Sequence, residues 1–126
     1  MSYHFTKTLR TSFDDAIKRT VDELKKEGFG ILTEIDVQET LKKKLDVDFR
    51  RYKILGACNP PFAYQALQTE DKIGTMLPCN VVVQERPGGI EVSAVDPVAS
   101  MQGIDNPSLA KIAERRAKLK KVVDSV

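Results

Sequence analysis

The chain has 126 residues, of which 41% are hydrophobic and 30% charged, the size and balance of one ordinary globular domain. Its 20 Lys and Arg against 18 Asp and Glu leave a net charge of +2, which supplies no bulk field for nucleic acid or an anionic membrane. Two cysteines are too few for a disulfide framework, and a single histidine rules out a multi-histidine metal site within one chain.

Tyr3, Phe5 and Leu9 alternate with Thr6 and Thr8, Lys7 interrupting, and predict a first strand. Ser12 then opens a helix, with Asp15 three residues on placed to close a capping box. Phe13, Ile17, Val21 and Leu24 recur along it at helical spacing. Gly28 supplies a left-handed stop, and Phe29 falls where a Schellman ending would bring it onto Leu24. Residues 30–37 predict a second strand, with Ile31, Thr33 and Ile35 on one face and Leu32, Glu34 and Asp36 on the other. Asp36 followed by Glu39 is a further capping signal, and Val37, Leu41 and Leu45 give a short amphipathic helix ending near Asp46.

Residues 52–58 predict a third strand. Asn59 as N-cap, with Pro60 at the first helical position, opens the next helix, whose buried side is Phe62, Ala63, Ala66 and Leu67. A loop over residues 74–78 leads to a fourth strand at 79–85, where Val81, Val82 and Val83 point to burial on both faces. Pro87, Gly88 and Gly89 turn the chain into a fifth strand at 90–95, ended by Asp96 and Pro97. Residues 100–105 read as an irregular connection. Asn106 and Pro107 then open one final helix, with Leu109, Ile112, Leu119, Val123 and Val126 on its apolar face and Lys111, Arg115, Lys118, Lys120 and Lys121 outside. The fold class that follows is α+β. It is one domain on a single twisted, mixed five-stranded sheet in the order β-α-β-α-β-α-β-β-α, its first two strands joined by a parallel, right-handed crossover.

No apolar run has the length of a signal peptide or a membrane span, so the expectation is a cytoplasmic protein with both thiols reduced. The phosphate-loop, dinucleotide, Cys-x-x-Cys, His-Glu-x-x-His and Gly-x-Ser-x-Gly motifs are all missing. His4 reads as a solvated strand residue. Three groupings remain. Cys58-Asn59 ends a strand at a helix start, where first-turn N–H groups favour a thiolate, and Cys79-Asn80 begins the next strand. Two adjacent thiols would form a reversible disulfide or hold a soft metal, although both residues also read simply as small core hydrophobes. Glu34, Asp36 and Asp96 could converge as carboxylates, against simpler roles for Asp36 as a cap and Asp96 in a turn; Glu34 stays open because its strand looks central. Lys42, Lys43, Lys44, Arg50 and Arg51 with Phe49 and Tyr52 have the look of a nucleic-acid surface, but Asp46 and Asp48 interrupt them and a solvated face explains them better.

The segments 28–37 (GFGILTEIDV), 54–61 (ILGACNPP), 77–83 (LPCNVVV) and 93–97 (SAVDP) together resemble the family called domain of unknown function 302. The resemblance spans nearly the whole chain. It implies a compact α/β domain on a mixed sheet and a homodimer, and it implies no activity. Its recurring positions fall on Glu34, Asp36, Cys58, Asn59, Pro60, Cys79, Asn80, Asp96 and Pro97. The biochemical activity, any reaction and any cofactor stay unknown at this point, and no metal site is assigned. The leading reading is a homodimer that binds a small molecule, carrying an anionic or carbonyl group, near Glu34, Cys58, Asn59, Cys79, Asn80 and Asp96. Thiol redox or soft-metal binding at Cys58 and Cys79 comes second, and a structural or interaction protein third. No nucleic-acid or membrane partner is expected.

Overall fold

The computed structural model describes residues 2–116 and 118–126. Five strands, β1 (His4–Leu9), β2 (Gly30–Asp36), β3 (Tyr52–Cys58), β4 (Cys79–Arg86) and β5 (Gly89–Val95), form one sheet in the order β1-β5-β4-β3-β2. Among the described residues, six helices accompany it: α1 (Phe13–Lys26), α2 (Val37–Leu45), α3 (Pro60–Thr69), α4 (Pro97–Ser100), α5 (Pro107–Arg116) and α6 (Leu119–Ser125), with a 3-10 turn at Ile73–Met76. The class is α+β, as the sequence predicts. Among the described residues, no helix is long and apolar enough to cross a membrane.

The sheet is antiparallel at every pairing rather than mixed. β1 and β2 lie at opposite edges, so the expected adjacent parallel pair does not form. The late β4–β5 hairpin supplies β1 with an antiparallel partner in β5, while β3 takes β2. α1 therefore crosses the sheet, packing on β5, β4 and β2 on its way from one edge to the other.

Local chemistry explains the helix ends. Ser12 Oγ accepts from the Asp15 N–H at 3.1 Å, while the Asp15 carboxylate takes the Thr11 hydroxyl at 2.6 Å instead of closing the capping box. The deepest line of α1 is Phe13, Ala16, Thr20 and Leu24, so Ile17 and Val21 flank the buried stripe rather than centre it. At its end the Phe29 N–H reaches the Leu24 carbonyl at 2.9 Å and Gly28 sits at φ 85°, the Schellman ending predicted. Asp36 caps α2 and Asp96 caps α4, a short helix where the sequence reads only a turn.

The predicted single final helix is two. α5 packs on α3 and α4, whereas α6 packs on α1, β1 and β5. One straight rod cannot reach both sets of partners, and Lys118 leaves helical geometry between them. The Arg115 side chain, expected on the outer face, lies outside the described residues.

All this packing falls on one face of the sheet. In a row across four strands, Ala94, Val81 and Leu55 are in the core and Phe5 packs against it, with Ala94 and Val81 fully buried. On the other face the corresponding row is Thr6, Ser93, Val82, Ile54 and Ile35, crossing all five strands away from the buried core. The valine run of β4 is thus buried on one side only, with Val82 left half-buried on the uncovered side.

Candidate functional site

Residue parity decides which chemistry the fold collects. Neighbours on a strand point to opposite faces. Cys79 pairs with Ala57 and turns toward the helices, while Asn80 pairs with Gly56 and turns to the uncovered face. The second Cys-Asn dipeptide is therefore split between the two sides of the sheet.

Cys58, Asn59 and Cys79 come together at a pocket of about 300 Å³. Its walls are the end of β3, the first two turns of α3 (Phe62, Ala63, Leu67), Gly74 of the 3-10 turn, and Leu77 and Pro78 leading into β4. Leu32 also lines the pocket. The β2–β3 register slips between Ile31 and Thr33, leaving Leu32 as the extra, bulged residue, 65% exposed. This bulge also breaks the strict alternation predicted for β2: Ile31 packs toward the core opposite Ala57, and Thr33 faces the other way opposite Gly56.

The pocket lining is almost wholly apolar, and the polar groups at its helix start are committed. Pro60 and Pro61 carry no N–H. The Phe62 N–H donates to Asn59 Oδ1 at 3.3 Å, and the Ala63 N–H donates to the Asn59 carbonyl at 2.9 Å. The Asn59 amide nitrogen faces the Glu27 carbonyl at 3.5 Å. Asn59 is a cap, as its sequence context predicts, and the helix start it caps offers no spare donor to an anion. Burial pushes the Cys79 thiol up to about 11, with neighbouring Cys58 adding to the shift, so Cys79 keeps its proton at neutral pH. Cys58 is half-buried. Among the described residues, no three His, Cys, Asp or Glu side chains gather as a metal site.

The remaining carboxylates do not join this pocket. Glu34 lies on β2, an edge strand rather than a central one, and pairs with Lys53 at 2.8 Å. Asp96 Oδ1 accepts from the Val98 and Ala99 N–H groups at 3.0 and 3.4 Å. Asp36 Oδ1 accepts from the Glu39 N–H at 2.9 Å. The basic stretch is met locally: Lys42 by Asp46 and Asp48, Lys43 by Glu39, Arg51 by Asp14, while Arg50 stacks on Phe49 and Tyr52. Asn80 lines a separate hollow of about 350 Å³ on the uncovered sheet face, with Tyr3, His4, Tyr52 and Val82.

Of the pocket residues, the site expected from sequence holds only Cys58, Asn59 and Cys79; Leu32, Gly74, Leu77 and Pro78 lie outside it. A bulge has no signature in a single sequence, and residues 77–78 read only as loop. Leu67, expected on the buried side of α3, is 45% exposed at the pocket.

A family model described as domain of unknown function DUF302 matches residues 5–126. A crystal structure of an uncharacterized conserved protein DUF302 from Bacillus stearothermophilus is similar, with 30% identity and a TM-score of 0.87, over 98% of this chain and 94% of that one. No curated protein matches the chain.

Proposed function

The chain belongs to the DUF302 family, whose name carries no activity, and from its own geometry we propose that it is a small-molecule-binding domain that works as a homodimer. The observation that carries the binding reading is the pocket where Cys58, Asn59 and Cys79 meet. Its volume is at the small end of the range typical of ligand sites, which are concave and mainly apolar. Exposed Leu32 and Leu67 continue the apolar lining onto the surface.

The test is fragment screening by NMR on the isotopically labelled full chain. Shifts caused by binding fragments are expected to cluster on Ala57, Cys58, Phe62, Ala63 and Leu77. Fragments that bind but scatter over other surfaces would overturn the reading.

The homodimer rests on the uncovered sheet face. Its central row, Thr6 to Ile35, holds no charged side chain in a chain that is 30% charged. The charges of that face, Glu91, Arg50 and Arg86, gather toward the β4–β5 hairpin. Depletion of charge at the centre with aromatics nearby is the composition of an interface. A five-stranded face of ordinary spacing spans roughly 500 Å² in projection, and a stable interface takes about 800 Å² of accessible surface per partner. α2 can supply the remainder: it has no buried residue, and Leu45 on it is 66% exposed. A face whose central row carries no charge suits a second copy of itself.

Thiol chemistry is the second reading, favoured by the adjacency of half-exposed Cys58 to Cys79. It ranks lower because Cys79 is protonated and the helix start has lost its donors.

A further inference from the structure

Resting on the pocket reading above, we infer that the ligand is a compact, uncharged, largely apolar molecule, or an apolar group of that size, and not the anion or carbonyl compound that a helix N-terminus beside two asparagines suggests. Four features of the pocket lead there.

The first is the loss of donors. A helix start binds anions through free first-turn N–H groups. In α3 the first two positions are prolines, and the next two N–H groups are taken by Asn59. The second is the state of the side chains. Asn59 spends its oxygen on the cap, Asn80 lies on the far side of the sheet, and Cys79 holds its proton. The third is the absence of charge: none of the residues lining the pocket is ionised Asp, Glu, Lys or Arg. A charge placed there would lose water and gain no partner, which is far costlier than burying an apolar group.

The fourth is size. A dry apolar cavity of about 150 Å³ accepts benzene. The present pocket, about 300 Å³, therefore takes a single substituted ring or a fused pair of rings, of roughly ten non-hydrogen atoms on the same scale.

The experiment titrates the full chain with indole, benzoate and benzylammonium at pH 7. These are compact probes of similar size that differ in charge. Binding is read by NMR on the Ala57, Ala63, Leu67 and Leu77 signals. Indole is expected to bind at least tenfold more tightly than either ion. Leu32→Lys, a change at an exposed bulge outside the core, is expected to raise benzoate affinity several-fold and weaken benzylammonium. Ala63→Phe, which fills the pocket, is expected to abolish indole binding in protein whose circular dichroism is unchanged; if that variant does not fold, the Leu32→Lys comparison carries the test. Benzoate or benzylammonium binding to the pocket as tightly as indole would overturn the ligand class while leaving the pocket as a binding site. No shift at the pocket signals with any probe up to its solubility limit would overturn both.

Discussion

Gly56→Ala tests how tightly the β2 edge is locked to the pocket rim. Gly56 is buried on the uncovered face opposite Asn80 and Thr33. A Cβ there would run into Thr33 Oγ1 on one side and stand 2.8 Å from Pro78 Cγ on the other. Thr33 is exposed on an edge strand, but its β-branched side chain is stiff at χ1, so moving its hydroxyl away carries a cost. The Pro78 ring cannot rotate, and it lines the pocket beside Cys58 and Cys79. Accommodation therefore needs the strand or the 77–78 segment to shift by several tenths of an ångström. Overpacking of this kind costs about 1–3 kcal/mol, and two simultaneous contacts place Gly56→Ala near ~2 kcal/mol within that range. For a domain of this length that is a fall in Tm of roughly 8 °C. Urea denaturation followed by circular dichroism measures it, with an unchanged m-value as the sign that stability alone moved. Thr33→Ala in the same chain should return about 1 kcal/mol as a coupling energy, because it clears one contact and leaves the proline. A Gly56→Ala protein within about 0.5 kcal/mol of wild type, the span of a neutral surface change, would refute the steric argument. So would zero coupling to Thr33.

Two further outcomes follow from the same packing. Cys79 ionises near 9.0 in an unfolded chain and near 11 when folded. Its thiolate is thus disfavoured in the native state, so stability is intact below pH 9 and falls as pH rises toward 11. Two pH units correspond to about 2–3 kcal/mol. Other groups titrate in that window, so the readout is the difference in slope between wild type and Cys79→Ala across pH 9–11; equal slopes would place Cys79 in water. Val82→Glu puts a carboxylate at the middle of the uncharged row between Ser93 and Ile54. Light scattering after size-exclusion chromatography should show a dimer for wild type and a monomer for this variant, with unchanged circular dichroism. A wild-type monomer, or a Val82→Glu dimer, would remove the face-to-face arrangement.

The elements themselves were legible because their signals are local. Ser12, Gly28, Asn59-Pro60 and Pro87-Gly88-Gly89 act within a few residues of themselves, and each ends or starts an element near its predicted place. Strand order is a different kind of information. The β1-α1-β2 stretch looks like a parallel crossover in isolation, and only the affinity of β1 for β5, more than eighty positions away, sends β2 to the far edge. The same distance dependence explains the final helix: its periodicity runs on across residue 117, but its two halves have different docking partners.

The site shows the limit more sharply, because the same residues bear two opposite readings. In sequence, Cys58-Asn59-Pro60-Pro61 looks like a helix start that attracts negative charge. In the fold, the proline pair and the asparagine cap that make the start recognisable are what use up its donors. The motif that secures the helix disarms it as an anion site. What remains exposed to a ligand is the apolar side of β3 and α3, completed by a bulged leucine and a loop proline that no pattern announces. The chemistry of this pocket is therefore set by what its capping residues withhold, and a search keyed to polar side chains finds the location of the pocket while misjudging the groups it presents.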